Sequence, residues 1–234
     1  MPGCASSAGS RRTSTTARSP AAPRLLPRRR FRHRLAPGHR WPTAPEDCFA
    51  ALLEAVRRAP VWDADASRLA VAGDSAGGNL AAVTTLVARD RHGPDITFQA
   101  LLSPSTDLTR SSPSILENAH APILTKADMD GYARHYRADV HHPYASPLLA
   151  EDHARLPAAL VQVAEHDPLR DDGLRYSRAL RASGVPVRAT THVGGTHGYF
   201  AFPHFNAVAP QALSELTTEI RAALHPEDIP AGPG

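Results

Sequence analysis

From residue 46 onward the chain alternates between two rhythms of apolar positions. In PEDCFAALLEAV (45–56) apolar side chains fall at 49, 52, 53 and 56, the spacing of one helix face. Acidic residues open that run and Arg57-Arg58 close it, which suits the helix dipole, and Pro60 stops it. Arg68–Gly73 is a short apolar run that predicts a buried strand, and residues 76–90, AGGNLAAVTTLVARD, predict a helix closed by His92-Gly93-Pro94. A strand over Ile96–Leu102 follows. Further on, Ala158–Ala164 predicts a strand, Asp171–Ser183 a helix ended by Gly184, Val185–Val193 a strand and Asn206–Leu224 a closing helix. Strands that alternate with helices imply an α/β domain, a mostly parallel sheet with helices on both faces.

Two stretches break the rhythm. Residues 105–157 hold several prolines and one helical run, Lys126–Arg137, and are expected to form an irregular cap-like insertion in a domain spanning 33–234. Residues 1–32 show neither period, and their small polar residues, prolines and arginines cannot bury enough apolar surface to offset chain entropy. They are expected to be a disordered basic head.

Composition sharpens this division. The net charge of +3 is the sum of unlike parts: residues 1–45 hold ten arginines and no acidic residue, and residues 46–234 hold 16 basic and 23 acidic ones. Arg11-Arg12 is not followed by an apolar core, so a secretory signal is excluded, and the head has the arginine and serine content of a transit peptide without its amphipathic stripe. A nucleic-acid arm would rest on charge alone, with only Phe31 to interleave, and none is assigned. No run of about 20 apolar residues exists to span a membrane. Cys4 and Cys48 suggest neither a disulfide framework nor a metal site, so a reducing cytoplasm is the default location. Of the 26 basic residues only Lys126 is lysine, a bias of GC-rich coding DNA. Such DNA read out of frame yields Arg, Pro, Ser, Ala and Gly, so the head is expected to derive from a frameshift or displaced start.

The chemistry concentrates at Gly73-Asp74-Ser75-Ala76-Gly77, a G-x-S-x-G sequence between a predicted strand and a predicted helix. A nucleophile exposed on so sharp a turn needs small neighbours, and the N–H of Ala76, with Gly77 as supporting backbone, would meet a developing oxyanion. An orienting acid and a base should follow in that chain order. Asp167 follows the strand 158–164 and His197 follows the strand 185–193, both at carboxyl ends, where open α/β sheets carry their sites. Asp171 and Asp172 compete with Asp167 but sit as first-turn helix residues, and Glu165 and His166 read as solvated loop. His141-His142, and His192 with His197, lack the spacing of metal ligands, so no metal is called for.

RLAPGHRWPTAPEDCFAALLEAVRR (34–58), RLAVAGDSAGGNL (68–80), AEHDPLRDDG (164–173) and GTHGYF (195–200) resemble the hormone-sensitive-lipase-like branch of the α/β-hydrolases. The resemblance implies an α/β-hydrolase fold and a carboxylic ester hydrolase with Ser75, Asp167 and His197 as triad. It further implies small or short-chain acyl esters as substrates, no cofactor, and a cap over the site. Two departures stand out. Gly38 occupies the place of a family glutamate, and the upstream HGGG-type segment, with the early strands around it, has no counterpart here. Loss of an oxyanion donor costs about 10²–10³ in turnover, so a catalytically impaired or purely binding remnant is the alternative expectation. The apolar strand 69–72 would also lack a neighbour on one side, and such an edge pairs with another chain, which places a homo-oligomer among the expectations.

Overall fold

A computed structural model of the chain describes residues 31–201, 203 and 206–228; all but the last two residues of the basic head, and Cys4 with them, lie outside the described residues. Helix α1 (Thr43–Arg58) is followed by strand β1 (Ala70–Asp74), α2 (Ala76–Asp90) and β2 (Phe98–Leu102). A long connection carries α3 (Ser114–Glu117) and α4 (Lys126–Tyr136), and then come β3 (Ala158–His166), α5 (Arg170–Ala182), β4 (Val187–Thr196) and α6 (Ala209–Leu224). The four strands form one all-parallel sheet in the order β1-β2-β3-β4. Among the described residues β1 is an outer strand, with Ala72 exposed.

Side chains alternate between the two faces. Leu101, Val161 and Val163 pack with Ala82 and Leu86 of α2 and with Tyr176 and Leu180 of α5. Phe98, Ala100 and Leu160 face the other way, against Leu216, Ile220 and Ala223 of α6. Both faces of β2 are covered, so all five of its residues are buried, Gln99 included. Several polar residues lie inside this core. Gln162 of β3, fully buried, donates to the carbonyl of Ala212 (3.1 Å) and to Glu215 Oε2 (2.6 Å) of α6.

The predicted elements all form, with shifted ends. Helix α1 begins at Thr43, three residues early, and beyond it Pro60 sits inside a 3₁₀ turn, Ala59–Trp62, closed by Asp63 at φ 51°. Strand β3 runs to His166, so Glu165 and His166 are strand residues and not loop. Glu165 accepts the Gly194 N–H at 2.7 Å across to β4. Between β2 and β3 the chain forms α3, α4 and a 3₁₀ turn at Pro147–Leu149; Ile115, Leu124 and Met129 cluster there with Leu169. Its last part joins the main core through Tyr144, Leu148, Ala150 and Leu156.

Candidate active site

The carboxyl ends of three strands meet at one edge of the sheet. Strand β1 ends at Asp74 and α2 begins at Ala76, so Ser75 is the whole turn between them, at φ 59° and ψ −117°. A non-glycine residue there carries strain on the order of 1–3 kcal/mol, held by the packing on either side. Room for so tight a turn comes from Gly73, where a Cβ would stand 2.0 Å from the Gly77 carbonyl oxygen. A Cβ on Gly78 would stand 3.0 Å from Pro104, so the glycine lets α2 lie close to the chain leaving β2. Gly77 differs from the expectation that both flanking glycines avoid side-chain clashes: a Cβ on it would meet nothing within 4 Å. Its backbone, not its missing side chain, is what presses on Gly73.

Parallel pairing places the other two groups. His166 of β3 is in register with Thr196 of β4, so the residues that follow, Asp167 and His197, leave the sheet side by side. His197 Nδ1 lies 2.9 Å from Asp167 Oδ2, and His197 Nε2 lies 3.0 Å from Ser75 Oγ. Asp167 is fully buried and His197 is 7% exposed, while Ser75 is half-buried and open on its outer side. The second oxygen of Asp167 accepts the Leu169 N–H at 2.8 Å, which fixes the carboxylate plane. Burial alone would lower the His197 pKa, but the hydrogen bond it donates to Asp167 and the charges of Asp167 and Asp74 hold it above its ordinary value. Burial pushes the Asp74 carboxyl up, partly opposed by His197. The Ala76 N–H, first in α2, has no carbonyl four residues back within the helix and is free to face an anion.

The structure therefore brings Ser75, Asp167 and His197 together and sets Ala76 and Gly77 beside them. The competing acids lie elsewhere. Asp171 binds the N–H of Ser114 (3.0 Å), and Asp172, fully buried, accepts the N–H groups of Thr106 and Asp107 (3.1 Å each). His142 stacks between Trp41 (5.2 Å) and Tyr144 (5.0 Å), and His192 lies against Tyr199. Among the described residues no group of three or more His, Cys, Asp or Glu side chains could hold a metal ion. Cys48 is a half-buried free thiol of α1. Among the described residues no helix is long and apolar enough to cross a membrane.

Reasoning from sequence missed the groups that tie these turns to the rest. Asn79, one helical turn after Ser75, donates to the carbonyls of Ser105 (2.6 Å) and Ala145 (2.8 Å). Its place four residues beyond the serine, on a helix otherwise apolar, was the available signal. Ser114 and Asn118, which touch the Asp167 loop, lie in an aperiodic stretch that offers none.

A family model described as alpha/beta hydrolase fold matches residues 30–201. The chain belongs to that family. Esterase LipI of Mycobacterium tuberculosis is 44% identical over 197 residues, covering 82% of this chain. Carboxylesterase NlhH of the same organism is 40% identical over 199 residues, again 82% of the chain. The chain spans 62% of the length of each. Among solved structures, the hyperthermophilic esterase of Pyrobaculum calidifontis superimposes with a TM-score of 0.78 at 39% identity, covering 81% of this chain and 64% of that one. The carboxylesterase EstE1, from a metagenomic library, gives 0.79 at 39% identity, covering 83% and 68%.

Proposed function

We propose that this α/β-hydrolase is a carboxylic ester hydrolase that acts on small or short-chain acyl esters through an acyl-serine intermediate. The observation that carries the reading is the relay Ser75 Oγ–His197 Nε2, His197 Nδ1–Asp167 Oδ2, at 3.0 and 2.9 Å, on a strained strand-to-helix turn. His197 accepts the Ser75 hydroxyl proton as Oγ attacks the ester carbonyl. Asp167 holds the imidazole tautomer and stabilises the imidazolium. The Ala76 N–H, at the positive end of α2, meets the oxyanion. Collapse expels the alcohol with the proton from His197; a water then gives a proton to His197 as its oxygen attacks the acyl carbon, and the acyl–Oγ bond breaks to release the acid as His197 returns that proton to Ser75 Oγ. No step asks for a metal or cofactor. The named esterases among its relatives support the reaction class.

One observation favours a second reading, a folded protein of low or no turnover. Among the described residues β1, which leads into Ser75, is an outer strand, so the sheet supports that turn from one side. A fluorophosphonate probe separates the two. The hydrolase reading expects Ser75 to be labelled and p-nitrophenyl acetate or butyrate to be cleaved, with Ser75→Ala abolishing both. Folded protein that stays unlabelled would establish the inert reading instead.

A further inference from the structure

The chain from Ser103 to Asn118 spans the distance between the nucleophile turn and the acid loop. At its near end the Ser105 N–H donates to the Ser75 carbonyl at 3.4 Å, and Asn79 grips the Ser105 carbonyl. At its far end the Ser114 hydroxyl donates to the Pro168 carbonyl (2.7 Å) and accepts the Asp171 N–H (3.1 Å). Asn118 Nδ2 reaches the carbonyl of Asp167 itself at 3.4 Å. A bridge of irregular backbone can set a spacing only if its middle is fixed; Ser146 Oγ accepts the Leu108 N–H there (2.9 Å) and the Thr106 carbonyl accepts the Leu148 N–H (3.0 Å), and Asp172 holds three of its residues at once. Asp172 Oδ2 accepts the Thr106 and Asp107 N–H groups, and Oδ1 lies 2.5 Å from Ser112 Oγ. Its own backbone carbonyl accepts the Thr106 hydroxyl at 2.8 Å. Arg175, one turn along α5, adds bonds to Asp107 (3.0 Å) and Ser112 (3.1 Å). Asp172 thus ties the bridge to the same helix whose entry loop carries Asp167.

We infer that Asp172 is a positioning residue: through Thr106, Asp107 and Ser112 it sets the separation of Ser75 from Asp167–His197. The inference rests on the hydrolase reading above. It touches neither substrate nor the reacting atoms, and its effect belongs in the chemical step rather than in ground-state binding. Displacements of an ångström or less in such a relay cost up to about 10²-fold in rate.

The test measures kcat and KM for p-nitrophenyl butyrate, with kcat taken per site titrated by fluorophosphonate. For Asp172→Ala, kcat is expected to fall roughly 10- to 100-fold with KM changed less than about twofold. Asp172→Asn is the rescue: its Oδ1 can accept both N–H groups while Nδ2 donates to Ser112 Oγ, and kcat should return to within about twofold of the parent. Parent kcat in Asp172→Ala, or an Asn variant as slow as the Ala variant, overturns the inference. If Asp172→Ala yields no folded protein, Ser112→Ala and Ser114→Ala each remove one hydroxyl from the bridge. A lower kcat at constant KM in these supports the assignment, and parent values in both overturn it. A folded parent that takes no label sinks the hydrolase reading and this inference together. A labelled parent matched by its Asp172→Ala variant sinks this inference alone.

Discussion

Asp74 supplies a second negative charge to the field at His197, beside that of Asp167, although only Asp167 is hydrogen-bonded to the ring. A base must be neutral to accept the serine proton, so activity should rise with pH through the His197 pKa, which these charges hold above its ordinary value. Replacing Asp74 by Asn removes one of the raising charges and leaves the hydrogen-bonded pair. The acid limb of the kcat/KM profile for p-nitrophenyl acetate is expected to move to lower pH. An acid limb that stays where it was would show that Asp74 does not act on the base. The glycine before it has a different job. Gly73 is needed for steric room alone, because its Cβ would overlap the Gly77 carbonyl at 2.0 Å.

That overlap belongs to the strand–turn–helix element, and it predicts unequal costs for the two glycines of the motif. Gly73→Ala forces β1 and α2 apart and should destabilise by about 1–3 kcal/mol or more. Gly77→Ala places a methyl in open space inside a helix, where alanine is favoured over glycine by about 0.5–1 kcal/mol. Urea midpoints of the two variants should therefore fall on opposite sides of the parent; a Gly73→Ala midpoint equal to the parent's would refute the account of the turn. The elements themselves were legible because their cores are periodic. The apolar positions of β2 and α2 mark those two elements, and G-x-S-x-G between β1 and α2 locates the turn. Asp167 and His197 could be found because each directly follows a strand. Element ends were not legible where tertiary contacts decide them: β3 continues through Glu165 and His166 because β4 pairs with it, not because those residues favour a strand. The stretch 105–118 was opaque for the same reason. Its order comes from side chains on α2 and α5 far away in sequence, which no local pattern encodes.

At the scale of the whole molecule those distant ties leave a buried carboxyl at the junction of the sheet, α5 and the connection that carries α3 and α4. Burial pushes Asp172 up from 3.8 to about 7, opposed by its bonds to Ser112 and to the Asp107 and Thr106 N–H groups; the charge of Asp107 adds to the rise. A carboxyl that holds its proton more tightly folded than unfolded contributes stability that is fully present below pH 3.8 and is lost as pH rises through about 7. Surface carboxylates paired with arginine act in the opposite sense but at lower pH. Asp47 beside Arg34, and Glu54 beside Arg57 and Arg58, are held down at about 2, so their contribution is lost only as pH falls toward that value. His153 and His192, lowered by burial, add stability to the fold as pH rises toward 6.5, whereas the contribution of His197, which is raised, is lost as pH rises above 6.5. A single melting curve against pH therefore mixes several groups. Comparing the parent with Asp172→Asn removes the mixing, because the amide keeps the three bonds and cannot ionise. The parent's Tm, relative to that of Asp172→Asn, is expected to fall between pH 5 and pH 8. Two parallel Tm curves across that interval would mean that the buried carboxyl does not change its charge there.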